Sequence, residues 1–116
     1  MTTVKQILDT KGYAVWSIHQ QESVLAAIQQ MAEKEVGALA VLEGDALVGI
    51  ISERDYARKV ILKGRSAHET AVRDIMTPHV ICVRLDQSIE ECMNIVTERR
   101  IRHMPVLDSG QLVGII

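Results

Sequence analysis

The chain predicts an α+β fold built from two pseudo-twofold-related copies, each βαββα-like, with small sheets packed together and helices outside. Three observations carry this. Placing Ser23 on Ser88, an offset of 65, aligns residues 23–51 with 88–116 without a gap, and nine of those 29 positions are identical. Both copies alternate strand-type apolar runs with a helix-type spacing, and each ends in a pair of strand runs around a polar turn. A unit of this kind buries only one face of a small sheet, so a second copy completes the core.

Taken in order, Val4-Lys5-Gln6-Ile7-Leu8 is a short helical lead-in that returns as Val72-Arg73-Asp74-Ile75-Met76 at an offset of 68. The first copy therefore carries extra residues near Lys11-Gly12-Tyr13, in a turn. A helix starting after Ser23 places Val24, Ile28 and Met31 on one face with Leu25 and Ala32 beside them, and the second copy repeats this with Ile89, Cys92, Met93 and Val96. Ser88 and Glu91 have capping-box spacing at the second helix start.

Strand runs at 37–42 and 46–51 flank Glu43-Gly44-Asp45, and runs at 104–107 and 111–116 flank Asp108-Ser109-Gly110, so two hairpins are expected. The copies divide the chain at residues 1–65 and 66–116, the second lacking a closing helix. The apolar run 112–116 would leave sheet surface uncovered, so the natural chain is expected to continue past Ile116; a covering partner chain is the alternative.

Composition narrows the function. Thirteen Lys plus Arg stand against 15 Asp plus Glu, which leaves no global field for general nucleic-acid or membrane association. Tyr13, Trp16 and Tyr56 are the whole aromatic set, so a row of stacking platforms for bases is disfavoured. Neither a secretory signal region nor a stretch of roughly 20 apolar residues is visible, which makes a cytoplasmic protein without membrane contact the expectation. Cys82 and Cys92 lack metal-ligand spacing and are read as reduced and buried, and His79 beside Cys82 is only a poor metal candidate. The four histidines are scattered and no nucleophile stands with a base, so no catalytic residue is assigned and the chain is read as a non-enzyme.

Ser52-Glu53-Arg54-Asp55 lies where a strand hands over to a helix. A helix start offers free amides to a phosphate, and a carboxylate in its first turn can accept from ribose hydroxyls. The same Ser-x-x-Asp spacing makes a capping box, and both readings stand. Arg54 and Arg58, four apart with Lys59 adjacent, could face phosphate or simply be solvated. Arg99-Arg100-Ile101-Arg102-His103 is the densest basic stretch; its first two residues suit a helix C-terminus, and as a nucleic-acid contact it is weak.

Residues 37–41 followed by Leu47-Val48-Gly49-Ile50-Ile51-Ser52-Glu53-Arg54-Asp55 resemble a CBS domain, and Arg102-His103-Met104-Pro105-Val106 with 112–116 resembles its partner copy. The resemblance, to a stand-alone bacterial-type CBS pair or Bateman module, covers nearly the whole chain. It implies a cleft between the copies that holds an adenine nucleotide for sensing, without catalysis. AMP, ADP or ATP come first, with NAD(H) and S-adenosylmethionine behind.

The resemblance assigns Ser52 and Asp55 to phosphate or ribose contact, Arg102 and His103 to phosphate, Thr77, His79, Val80 and Ile81 to the ligand's edge, and Met104 and Pro105 to apolar walls. Arg54 and Arg58 join as candidate cations. A second site would use Tyr13, Ala14, Gly37 and Ala38, but its Ser-x-x-Asp counterpart would fall after Ile116, so one complete site is expected. The resemblance further implies a homodimer, with an unknown regulated protein in trans. A structural or docking module without a nucleotide is the alternative.

Overall fold

The computed structural model describes residues 1–116 and divides them into two compact units, 16–80 and 1–15 with 81–116. The first unit opens with β1 (Ser17–His19), crosses through α2 (Val24–Lys34) and returns as β2 (Ala38–Glu43) parallel to β1. Here α1 is the helix Val4–Lys11, which belongs to the other unit. Ser23 caps α2, its Oγ accepting from the Ala26 amide at 3.1 Å, and Val24, Ala27 and Met31 turn inward at helical spacing. Glu35 ends the helix in the left-handed region, φ 56°.

β3 (Ala46–Ser52) pairs antiparallel with β2 around a turn in which Gly44 takes φ 60°, and the ladder shifts register between Val41 and Leu42. α3 (Glu53–Tyr56) follows at once and passes into a π-helical turn, Ala57–Ile61. α4 (Val72–Ile75) leads to β4 (Thr77–Pro78), which lies antiparallel to β3 and completes a sheet of order β1-β2-β3-β4. Ile18, Val24, Ala27, Met31, Leu39 and Ile51 form its core together with Val60, Val72 and Ile75.

The second unit repeats the plan with three strands. β5 (Val83–Arg84), α5 (Ile89–Arg99), β6 (Pro105–Asp108) and β7 (Gln111–Ile115) give the order β5-β6-β7, with β5 parallel to β6 and β6 antiparallel to β7. The hairpin closes through Ser109 and Gly110, both at positive φ, the backbone that a two-residue turn between twisted strands requires. The capping box at α5 is formed: Ser88 Oγ accepts from the Glu91 amide at 3.1 Å, and the Glu91 carboxylate accepts from the Ser88 amide at 3.4 Å. Val4, Leu8, Val83, Cys92, Met104 and Val106 make the core.

The packing units cross the boundary between the sequence copies at 65/66. The lead-in of copy one, α1, packs in the unit that holds copy two's strands, and the lead-in of copy two, α4, packs in the unit that holds copy one's. The exchange is reciprocal down to single bonds. Thr3 bridges Ser88 while Ser23 bridges Ala71, and the Ile89 amide donates to the Thr2 carbonyl just as the Val24 amide donates to that of Thr70.

Three local expectations change. Met93 does not join the inward face of α5; it is 63% exposed, because Cys92 takes the buried place one residue earlier. Ile81 lies ahead of β5, which begins at Val83, and Met104 lies just ahead of β6. Cys82 is only half-buried, while Cys92 is buried as expected.

Candidate functional site

In the unit of residues 16–80, the site candidates gather at the end of β3. Ser52 is held opposite Ala38 by the β2–β3 register, with extended backbone, φ −128° and ψ 165°. Its Oγ accepts from the Asp55 amide at 3.2 Å, and Asp55 Oδ2 accepts from both the Ser52 amide at 2.9 Å and the Ser52 hydroxyl at 3.1 Å. Lys59, one turn on, places its ammonium 3.2 Å from Asp55 Oδ1 and donates to the Ile75 carbonyl at 2.9 Å.

An ionised carboxylate offers about four lone-pair sites. Two on Oδ2 and one on Oδ1 are engaged, so Oδ1 keeps one acceptor position on a carboxylate whose side chain is 12% exposed. A hydroxyl donor fits that remaining position. An anion fits the neighbouring helix start less well than its sequence implied. The Glu53 amide donates to the Gly37 carbonyl at 3.0 Å, and the Asp55 amide is held by Ser52.

Lys59, read from sequence as a candidate phosphate cation, is therefore an orienting group for Asp55, and Asp55–Lys59 spacing of i, i+4 was the available signal. Arg54 and Arg58 are exposed beside it. Thr77 stands on the adjacent strand, opposite Ile50, and His79 follows with φ 53°, both exposed, while Val80 is half-buried. Gly49, which sequence reasoning did not single out, sets this approach. A Cβ there would come within 2.6 Å of Met76 Sδ and 2.9 Å of the Thr77 carbonyl oxygen, so only glycine lets β4 lie so close. Gly37 and Ala38 belong to this unit too; Gly37 lines a groove of about 310 Å³ with Ile28, Met31, Glu35 and Glu53.

The other unit holds the remaining candidates. Met104 is buried to 2% in its core, and its backbone pairs both ways with Ile116 at 2.9 and 3.0 Å. Pro105 is buried at the start of β6, so both are packing residues of this unit first. Arg102 is exposed and with Met104 lines a groove of about 250 Å³; His103 and Ile81 are half-buried. Tyr13 and Ala14 are exposed, and the Tyr13 hydroxyl donates to Asp9, whose other oxygen receives Lys5 at 2.9 Å. That pairing holds the Asp9 carboxyl below its ordinary range and pushes the Tyr13 phenol above its own.

No three His, Cys, Asp or Glu side chains stand together in a way that could hold a metal ion. Desolvation raises both thiols, Cys82 and Cys92, and Glu91 adds to the effect at Cys92, which reduces their thiolate character. No helix is long and apolar enough to cross a membrane.

Comparison with known proteins brings one family. The CBS domain model matches residues 4–62 and 72–116. The mitochondrial CBS domain-containing protein CBSX3 of Arabidopsis thaliana is 37% identical over 99% of this chain, which spans 60% of that relative's length. Among solved structures, a CBS-domain protein of Burkholderia ambifaria MC40-6 carrying a signal-transduction name superposes with TM-score 0.95 at 49% identity, covering 99% of this chain and 87% of its own. The CBS domain pair of protein MJ0100, solved in complex with 5′-methylthioadenosine and S-adenosyl-L-methionine, superposes with TM-score 0.87 at 25% identity, covering 100% of this chain and 89% of its own.

Proposed function

This chain belongs to the CBS domain family, and from that premise we propose that it is a regulatory module that binds an adenosine-bearing ligand without transforming it. The observation that carries the proposal is the Asp55 carboxylate, fixed by Ser52 and Lys59 with one acceptor position left on Oδ1. A ribose hydroxyl is the donor it suits, and every adenosine ligand brings two. The MJ0100 pair was solved with two ligands that share the 5′-methylthioadenosine skeleton, adenosine included, which supports recognition of an adenosine-bearing ligand.

AMP, ADP and ATP head the ligand set, with NAD(H) and S-adenosylmethionine behind. Thr77, His79, Val80 and Ile81 are proposed as further contacts, together with Met104 and Pro105 as apolar walls and Arg54, Arg58, Arg102 and His103 as cations for a phosphate-bearing ligand. Tyr13, Ala14, Gly37 and Ala38 remain proposed for a second site. The module is proposed to work as a homodimer that acts on another protein in trans, ligand occupancy shifting which conformation is presented.

Calorimetry of the intact chain against AMP, ATP, NADH and S-adenosylmethionine tests this. Binding by at least one is expected, with Asp55→Asn lowering affinity about tenfold, the loss of one charge-assisted hydrogen bond. No binding by folded protein would overturn it. The second reading, a structural module without a nucleotide, draws on the same geometry: Ser52 and Lys59 already satisfy most of Asp55, as a helix cap alone would. Retention of full affinity by Asp55→Asn would favour that reading of the junction.

A further inference from the structure

The charge of Asp55 has one counterion. The Lys59 ammonium lies 3.2 Å from Oδ1 and donates to the Ile75 carbonyl at 2.9 Å, so it ties the first turn of α3 to the last residue of α4. Its stem leaves the π-helical turn Ala57–Ile61, where the neighbouring Val60 is buried to 1% and the Leu62 amide reaches back to the Ala57 carbonyl at 3.0 Å. Although the Lys59 side chain is 44% exposed, its charged end is fixed by two acceptors.

The other cations of this segment do not neutralise Asp55. Arg54 and Arg58 are exposed and meet no carboxylate, so water and salt screen them. The Asp55 side chain is 12% exposed, and a charge so placed is screened far less. Left alone, it would set a negative field at any ribose that donates to Oδ1. The 5′ substituent of that nucleoside sits across the same sugar ring, within the Debye length of about 8 Å at physiological salt. A 5′-phosphate carries roughly two negative charges at pH 7 and would be repelled, whereas a neutral 5′-thioether would not.

We propose that Lys59 is a specificity-determining residue: by neutralising Asp55 it opens the ribose position to phosphate-bearing adenosine ligands, which a bare carboxylate would exclude in favour of neutral or cationic ones. The assignment rests on Asp55 receiving the ribose hydroxyl. Lys59 acts through Asp55 rather than on the phosphate, so the selection follows the summed charge of the pair. That pair is neutral as it stands, negative without Lys59, positive without Asp55, and neutral again without either charge.

Calorimetry of the full chain with AMP and with 5′-methylthioadenosine, alike in adenosine and different in charge, reads the selection as a ratio of affinities. Lys59→Met is expected to lower AMP affinity at least about tenfold relative to methylthioadenosine, and Lys59→Arg to keep the wild-type ratio. Asp55→Asn is expected to shift the ratio toward AMP, and Asp55→Asn/Lys59→Met to return it to within about threefold of wild type. Added salt should shrink the Lys59→Met deficit. An unchanged ratio in Lys59→Met would overturn the assignment. So would a deficit that persists in the double variant, the mark of direct contact between lysine and phosphate, or loss of both ligands from Lys59→Met, the mark of a structural brace. Wild-type chain that takes methylthioadenosine and refuses AMP would overturn it while leaving adenosine recognition standing; wild-type chain that binds neither would overturn both.

Discussion

Gly49 and Gly114 hold the same place in the two sequence copies, on the second hairpin strand, yet they face different neighbours. At Gly49 an added Cβ would meet the Met76 sulfur and the rigid backbone oxygen of Thr77; at Gly114 it would meet only the methyl ends of Leu8, at 2.8 and 2.9 Å. Leu8 and Met76 are themselves equivalent, each ending the lead-in that its copy sends to the other unit. The shared glycine is thus the seat of an exchanged helix, and the difference shows that only the unit of residues 16–80 adds a fourth strand behind it.

The largest expected effect breaks the symmetry directly. Gly49→Ala should cost about 2 kcal/mol in urea unfolding, because β4 must move, whereas Gly114→Ala should cost under about 1 kcal/mol, because a leucine end can rotate away. Equal costs would mean that β4 yields as easily as a side chain. Gly49→Ala should also weaken adenosine binding by shifting Thr77, and Gly114→Ala should not.

The two capping boxes sharpen the contrast at a smaller scale. Ser88→Ala removes the cap of an eleven-residue helix and should cost about 1 kcal/mol. Ser52→Ala opens a helical stretch of similar extent, α3 with its π-helical turn, and should cost about as much stability, about 1 kcal/mol, while also lowering adenosine affinity through Asp55. An affinity loss in Ser88→Ala of the same size would remove the distinction between a structural and a functional cap.

The smallest effect is a pH dependence. Gln87 and Ser88 hold the Glu91 carboxyl below its ordinary value, so the stability that it contributes is present above that value and fades as pH falls through the lowered one. Urea midpoints measured downward from neutral pH should therefore drop slightly more for wild type than for Glu91→Gln. Parallel profiles would show that the box at α5 contributes nothing through charge.

How much of this could be read in advance follows from how local each signal is. The hairpins were legible because Gly44 and Gly110 sit where the backbone must take positive φ. The capping boxes were legible from three-residue spacing alone. The exchange of lead-ins was not, since Val4 and Leu8 show the same apolar period whichever sheet receives them. The contact of Lys59 with Asp55 was not singled out because a lysine near a helix start suits a phosphate as well as a carboxylate, and only distance separates the two. Met93 was placed inward because Cys92 and Met93 are both apolar and adjacent, and one helical step decides which is buried. The strand register that puts Thr77 opposite Ile50 depends on a non-local pairing that no local pattern encodes.

The exchanged lead-ins also order events in time. During synthesis every element of residues 16–80 is available once Val80 has emerged, so that unit can close early. α1 is made first and used last: Leu8 has to wait for residues from Val83 to Gly114 before its side chain is fully packed. Contacts that span so much chain close slowly, and an apolar helix face is open to other proteins in the interval. The nascent chain is therefore most exposed to chaperones and proteases at its oldest segment.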